Sequence, residues 1–299
     1  MFRTVFALTL LVCAVFAQQP PAGREGAARG GVTGRLTWFD RQGKAAGTIG
    51  EPGSYRTLTI SPNGKRVAAE MNRDIWVLDA AGGAPVHLTT DPGWDAFPVW
   101  SPDSTRVIFT SNRGGTFDLY RKSVTGEGAD EVFYKNAEGK GVTSWSPNGK
   151  FLLYYSIGQP THLRLLAVDG PADRAATPVV DNQFQSITGR FSPDGRWILY
   201  TSSESGKSEV SVRSFNAATG AFGNPVVVTH DGGRTPLWRG DGKEIFYFNE
   251  DGMVTAMEVN AGGATFQPGT PKPLFKAPAG VLFWDVSPDG QRFLMPQAL

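Results

Sequence analysis

Six recurrences of one short unit constrain this chain more than any other feature. Residues 98–110, PVWSPDSTRVIFT, join an apolar-aromatic strand end to a Ser-Pro-Asp turn and then to an alternating strand. The unit returns as TISPNGKRVAA at 59–69, SWSPNGKFLLYY at 144–155, RFSPDGRWILYT at 190–201, LWRGDGKEIFYF at 237–248 and DVSPDGQRFLM at 285–295. The turn opens at Ser61, Ser101, Ser146, Ser192, Arg239 and Ser287, so successive units are 40, 45, 46, 47 and 48 residues apart. Spacings of that size, with room for four short strands in each, are those of propeller blades.

The turn chemistry agrees. Proline presets φ at the first central position, Asp or Asn suits the second, and glycine takes the left-handed position that closes the hairpin. At the fifth turn Arg239 and Gly240 replace Ser and Pro, which predicts a looser hairpin on the same path. Ile60, Trp100, Trp145, Phe191, Trp238 and Val286 precede the turns, and their recurrence predicts wedges packed between neighbouring blades. Thirty-seven glycines and 21 prolines among short β-branched and aromatic runs predict an all-β domain almost without helix. A formal net charge of +1 and the lack of a basic stripe leave no case for nucleic acid.

Residues 1–17, MFRTVFALTLLVCAVFA, carry Arg3, an apolar run over 5–16 and Ala17 before Gln18. This is the pattern of a secretory signal peptide cleaved after Ala17. A retained anchor and a lipoprotein signal at Cys13 are the competing readings. The apolar run is about half a spanning length, and Val12 is larger than the small residue a lipoprotein signal carries. The only cysteine lies in this segment, so the mature chain has none and no membrane span is expected in it. Residues 18–31 lack apolar periodicity and read as a flexible spacer before a propeller over 32–299.

Residues 35–49, RLTWFDRQGKAAGTI, align with 74–88, DIWVLDAAGGAPVHL, an outer strand pair. The first segment therefore has outer strands without inner ones, and residues 283–295 supply inner strands without outer ones. Joined, they make a sixth blade from both termini and remove the open edges of a linear array.

WSPDSTRVIFTS followed by DLYRKS, and RFSPDGRWILYTSS followed by EVSVRS, resemble the WD40-like repeats of TolB-type six-bladed propellers over residues 35–295. The later units also resemble the extracytoplasmic propellers of some bacterial serine/threonine kinases, although no kinase motif is present. The resemblance implies a periplasmic or secreted, monomeric, non-catalytic scaffold that binds a protein or peptide of the cell envelope, without metal or cofactor. An alternative from another class is a propeller hydrolase or lyase acting on a saccharide or lactone through an acid–base pair in the channel. His87, His162 and His230 fall on separate blades, unlike the histidine cluster of some propeller lyases of acidic polysaccharides. No G-x-S-x-G elbow or nucleotide loop occurs.

In a propeller, the loops entering each innermost strand and the hairpins between second and third strands gather at one mouth of the channel. That placement predicts a binding surface from Tyr55, Arg56, Trp94, Asp95, Arg113, Lys140, Gln185 and Arg234. Two arginines and a lysine there would suit an anionic group; solvated loop charge paired with Asp95 is the plainer alternative. Trp94 reads equally as a platform or a lid.

Overall fold

A computed structural model describes residues 31–158 and 160–299. The signal-peptide and spacer expectations, up to residue 30, lie outside the described residues.

The described residues form strands and turns, in five antiparallel sheets. The first contains β1 (Val32–Asp40), β2 (Ala45–Ile60), β3 (Arg66–Met71), β4 (Asp74–Asp79) and β5 (Val86–His87). The second is β6 (Asp95–Trp100), β7 (Arg106–Gly114), β8 (Thr116–Ser123) and β9 (Glu131–Tyr134). The third is β10 (Gly139–Trp145), β11 (Phe151–Ile157), β12 (Leu163–Ala167) and β13 (Thr177–Pro178). The fourth is β14 (Ser186–Phe191), β15 (Trp197–Ser202) and β16 (Glu209–Asn216), with both β17 (Ala221–Phe222) and β18 (Val226–Val227) paired to β16. The fifth is β19 (Arg234–Trp238), β20 (Glu244–Phe248), β21 (Met253–Asn260) and β22 (Gln267–Lys276). The last strands, β23 (Asp285–Val286) and β24 (Arg292–Ala298), return to the first sheet, where β24 pairs with β1 from Gly34↔Ala298 to Asp40↔Arg292.

Strand β2 serves two partners, its start facing β1 at Leu36↔Ile49 and its end facing β3 at Ile60↔Val67. The two aligned outer segments match in detail: Leu36 and Ile75 are fully buried, and Asp40 and Asp79 each accept a backbone N–H two residues on. Innermost strands touch in the order β2, β6, β10, β14, β19, β23, and β23 touches β2.

Apolar side chains fill the spaces between sheets. Phe246 of β20 and Phe293 of β24, both fully buried, meet edge to face at 5.2 Å, with Trp284 and Phe275 packed around them. The wedges behave as expected at two turns: the indole N–H of Trp100 donates to the Thr59 carbonyl (3.0 Å) and that of Trp238 to the Arg190 carbonyl (3.4 Å), each on the preceding sheet. Trp145 differs, donating to the Gly149 carbonyl of its own hairpin.

Each serine-opened turn is held the same way. Ser61 Oγ donates to Asn63, accepts the Arg66 N–H at 2.9 Å, and the Gly64 N–H closes on the Ser61 carbonyl at 2.7 Å. The turn at Arg239 is not looser. Its Gly242 N–H reaches the Arg239 carbonyl at 2.9 Å, and the Arg239 guanidinium grips Asp241 at 2.7 and 2.6 Å in place of the missing hydroxyl. That grip holds the Asp241 carboxyl down at about 2.

Glycine occupies the left-handed position of five turns, as at Gly195 (φ 71°), while the second sheet has Ser104 there at φ 60°. Ser104→Gly is expected to raise stability by up to about 1 kcal/mol, and Gly195→Ala to lower it by about as much. A Cβ on Gly195 meets only ordinary contact, 3.6 Å from Pro147, so the cost is conformational. Urea midpoints of the two variants should move in opposite directions; a common direction would exclude backbone strain as the cause.

Candidate binding site at the channel mouth

A β-bulge recurs in the innermost strands: register shifts fall between Tyr55 and Leu58, Ala96 and Val99, Val142 and Ser144, Ile187 and Arg190, and Arg234 and Leu237. A bulge frees backbone N–H groups from the ladder and bends the strand. Here the freed groups find side chains of the preceding sheet. Phe97 N–H donates to Thr57 Oγ1 (3.0 Å) and Val142 N–H to Thr110 Oγ1 (3.2 Å). Three bulge residues, Phe97, Thr188 and Thr235, have φ between 47° and 54°.

The bulges surround a cavity of about 40 Å³ whose lining includes Thr57, Phe97, Tyr155, Arg190, Phe283 and Trp284. That is room for a few waters. Aromatic rings narrow it: Phe97 lies edge-on to Tyr155 at 5.7 Å and to Phe283 at 5.5 Å. Arg190 lines it, and the opposite charges of Arg190 and Asp285 act on each other. Asp285 accepts the Ile60 N–H (2.7 Å) and the Val286 N–H (2.9 Å), and burial raises its carboxyl against the pull of Arg190.

The bulges also relocate the predicted mouth residues. The strands continue through them toward the mouth, so Tyr55, Arg56, Asp95, Lys140 and Arg234 sit in β2, β6, β10 and β19 rather than in loops. Tyr55 is a core residue, 1% exposed; its hydroxyl donates to the Glu51 carbonyl, and burial pushes it up to about 12. Lys140 is fully buried and donates to Asp118 Oδ1 and the Glu138 carbonyl, both at 2.6 Å, with burial drawing its ammonium down. Asp95 is fully buried and accepts Arg113 Nη2 at 2.8 Å, while Arg113 also grips Asp130. Burial raises the Asp95 carboxyl. Gln185 donates its backbone N–H to Ser203 Oγ (3.0 Å) and accepts the Ser203 N–H at its carbonyl (3.1 Å).

Arg56 and Trp94 are brought together. The guanidiniums of Arg56 and Arg73 lie 4.7 and 5.6 Å from the Trp94 ring, and Phe117 meets it edge-on at 5.8 Å. Trp94 Nε1 donates to Glu70 Oε1 (2.8 Å), Thr57 Oγ1 donates to Glu70 Oε2 (2.7 Å), and Arg56 Nε stands 4.0 Å from Glu70. Glu70 is 2% exposed; burial raises its carboxyl, opposed by Arg56, Thr57 and Trp94. The same burial lowers the Arg56 guanidinium. Sequence reasoning missed Glu70, yet a signal exists. Nine residues after the turn opener, the units carry Glu70, Thr110, Tyr155, Thr201, Phe248 and Pro296, and only the first is charged.

Arg234 stands apart from that cluster, its guanidinium 5.3 Å from the Phe248 ring. His87 pairs with Asp74 at 2.8 Å and stacks on Trp76. Among the described residues no three His, Cys, Asp or Glu side chains group as a metal site requires, and no helix is long and apolar enough to cross a membrane.

These antiparallel sheets, packed against one another through apolar side chains, form a propeller-like fold. More narrowly, the family described as the TolB beta propeller domain matches residues 46–169, about two fifths of the chain. The chain is similar to the putative TolB from Agrobacterium tumefaciens, with TM-score 0.68 and 19% identity, covering 90% of this chain and 99% of that one. It is 24% identical over 158 residues to the Tol-Pal system protein TolB of Helicobacter pylori, covering 51% of this chain and 35% of that protein. A tricorn protease homolog 1 of Streptomyces coelicolor is 29% identical over 112 residues, 38% of this chain and 10% of that protein. The alignments thus span about a third and a tenth of these relatives.

Proposed function

We propose that the chain is a periplasmic or secreted, non-catalytic, six-bladed propeller whose mouth binds a protein or peptide of the cell envelope. The circuit of innermost strands from β2 back to β2, with β1 beside β24, supports six blades closed by both ends of residues 32–299. Export is supported by the Arg3-led apolar segment before Ala17. Likeness to Tol-Pal system proteins supports an envelope partner.

The observation that carries the reading is the Trp94 cluster, a part-exposed indole within cation–π range of two guanidiniums at the mouth. Tryptophan and arginine are the residue types that dominate interface energetics. A photo-crosslinking residue placed at Arg73 or Phe117, in native envelopes, is expected to trap one envelope protein, whereas one at the outer-edge Val132 is expected to trap none. Trapping only from Val132, or none together with turnover of a saccharide panel, would replace this reading with the enzyme.

A further inference from the structure

The mouth cations are not equivalent. Arg56 faces Glu70, Arg113 is divided between Asp95 and Asp130, and Lys140 is taken by Asp118. Arg234 is different. It is only partly exposed, and among the described residues its guanidinium has neither a carboxylate nor a hydrogen-bond acceptor. Burial lowers it and no neighbouring charge opposes that shift.

A second cation lies beside it. Arg234 Nη2 and Lys276 Nζ are each 3.7 Å from the point a Cβ on Gly252 would occupy, so both flank the same bare hairpin glycine. Lys276 Nζ donates to the Asp251 carbonyl and has no carboxylate partner among the described residues. The Phe248 ring supports the guanidinium from below, and Phe248 itself stacks on Trp284 at 4.6 Å. A rigid backing leaves the guanidinium's planar fork of donors for a group from outside, and that fork matches a carboxylate in two parallel hydrogen bonds.

We propose that Arg234 and Lys276 form a carboxylate-binding subsite of the mouth, to which a peptide partner presents an acidic side chain or its chain terminus. The inference rests on the mouth-binding reading and names what the partner must offer there. It also explains why an arginine is kept where burial disfavours its charge: a partly desolvated cation without an internal partner gains more from an incoming anion than a solvated one.

Arginine-selective labelling with phenylglyoxal, followed residue by residue by mass spectrometry on the full chain, tests this without knowledge of the partner. Four probes are used: acetyl-triglutamate amide, acetyl-triglycine with a free carboxyl terminus, acetyl-triglutamine amide and inorganic phosphate. One or both carboxylate probes are expected to slow labelling of Arg234 about tenfold at saturation, as one charge-assisted hydrogen bond would, with no effect of the neutral probe. Which of the two protects tells side chain from terminus. Labelling of Arg56 should not respond, and Lys276→Gln should weaken the protection several-fold. Protection by triglutamine, by inorganic phosphate alone or by nothing, or protection unchanged in Lys276→Gln, would overturn the proposal. Failure here with crosslinking from Arg73 intact removes the subsite and leaves the mouth reading standing; the converse result removes the mouth reading.

Discussion

Asp285→Ala is expected to lower the unfolding free energy by about 2 kcal/mol, the scale for leaving partly buried backbone donors without their acceptor. Asp285 is the acceptor that ties the last innermost strand to Ile60, 225 residues earlier in the chain, and the counter-charge to Arg190. Alanine leaves the Ile60 and Val286 N–H groups unpaired and the arginine charge uncompensated beside a cavity of about 40 Å³. Arg190→Leu in the same chain is expected to recover only the part of the loss that comes from the uncompensated arginine charge, leaving the part that comes from the two unpaired N–H groups. Urea unfolding of the two single variants and the double variant measures the coupling. Additive losses would show that Asp285 acts through its backbone donors alone.

Trp94→Ala should cost about 3 kcal/mol, from lost ring packing and a lost donor to a buried carboxylate. Trp94→Phe keeps a ring beside Arg56 and should lose only about half of that. The pH profile separates the two contributions. Burial raises Glu70 and Asp285 above their unfolded values. Above about pH 4.3, the ordinary glutamate value, the folded chain therefore holds more protons than the unfolded chain, and stability falls as pH rises toward the folded values. Removing the indole donor raises Glu70 further, so Trp94→Ala should show a fall above about pH 4.3 that is larger than in wild type. A fall no larger would mean that the indole does not hold the charged form of Glu70. The turn aspartates do not confuse the test. Asp103, Asp194, Asp241 and Asp289 are held below their ordinary value by their hairpins, so their contribution is present above about pH 4 and is lost only as pH falls below it.

Several features of the fold were legible in one sequence because they depend on neighbours along the chain. The Ser-Pro-Asp/Asn-Gly turns recur at the predicted places with glycine at φ near 70°, and the strands after them pair as their alternation requires. The partnership of β1 with β24 was foreseeable from complementary half-units. The departures have a common cause. Nothing in residues 93–97 or 139–143 announces a bulge, which is a register event between two strands, so the innermost strands begin earlier than periodicity suggests. Periodicity therefore places Tyr55, Asp95 and Lys140 in mouth loops, whereas they are buried strand residues.

Local patterning, then, determined the hairpins, the strand order within each unit and the all-β class, because turn geometry and period-two alternation are carried by residues a few positions apart. Which polar side chains meet was decided only in three dimensions. Glu70 lies beside Arg56 and Trp94 and Asp285 beside Ile60 because neighbouring sheets approach at the bulges, while Arg234 and Lys276 flank one hairpin of their own sheet with no carboxylate partner among the described residues.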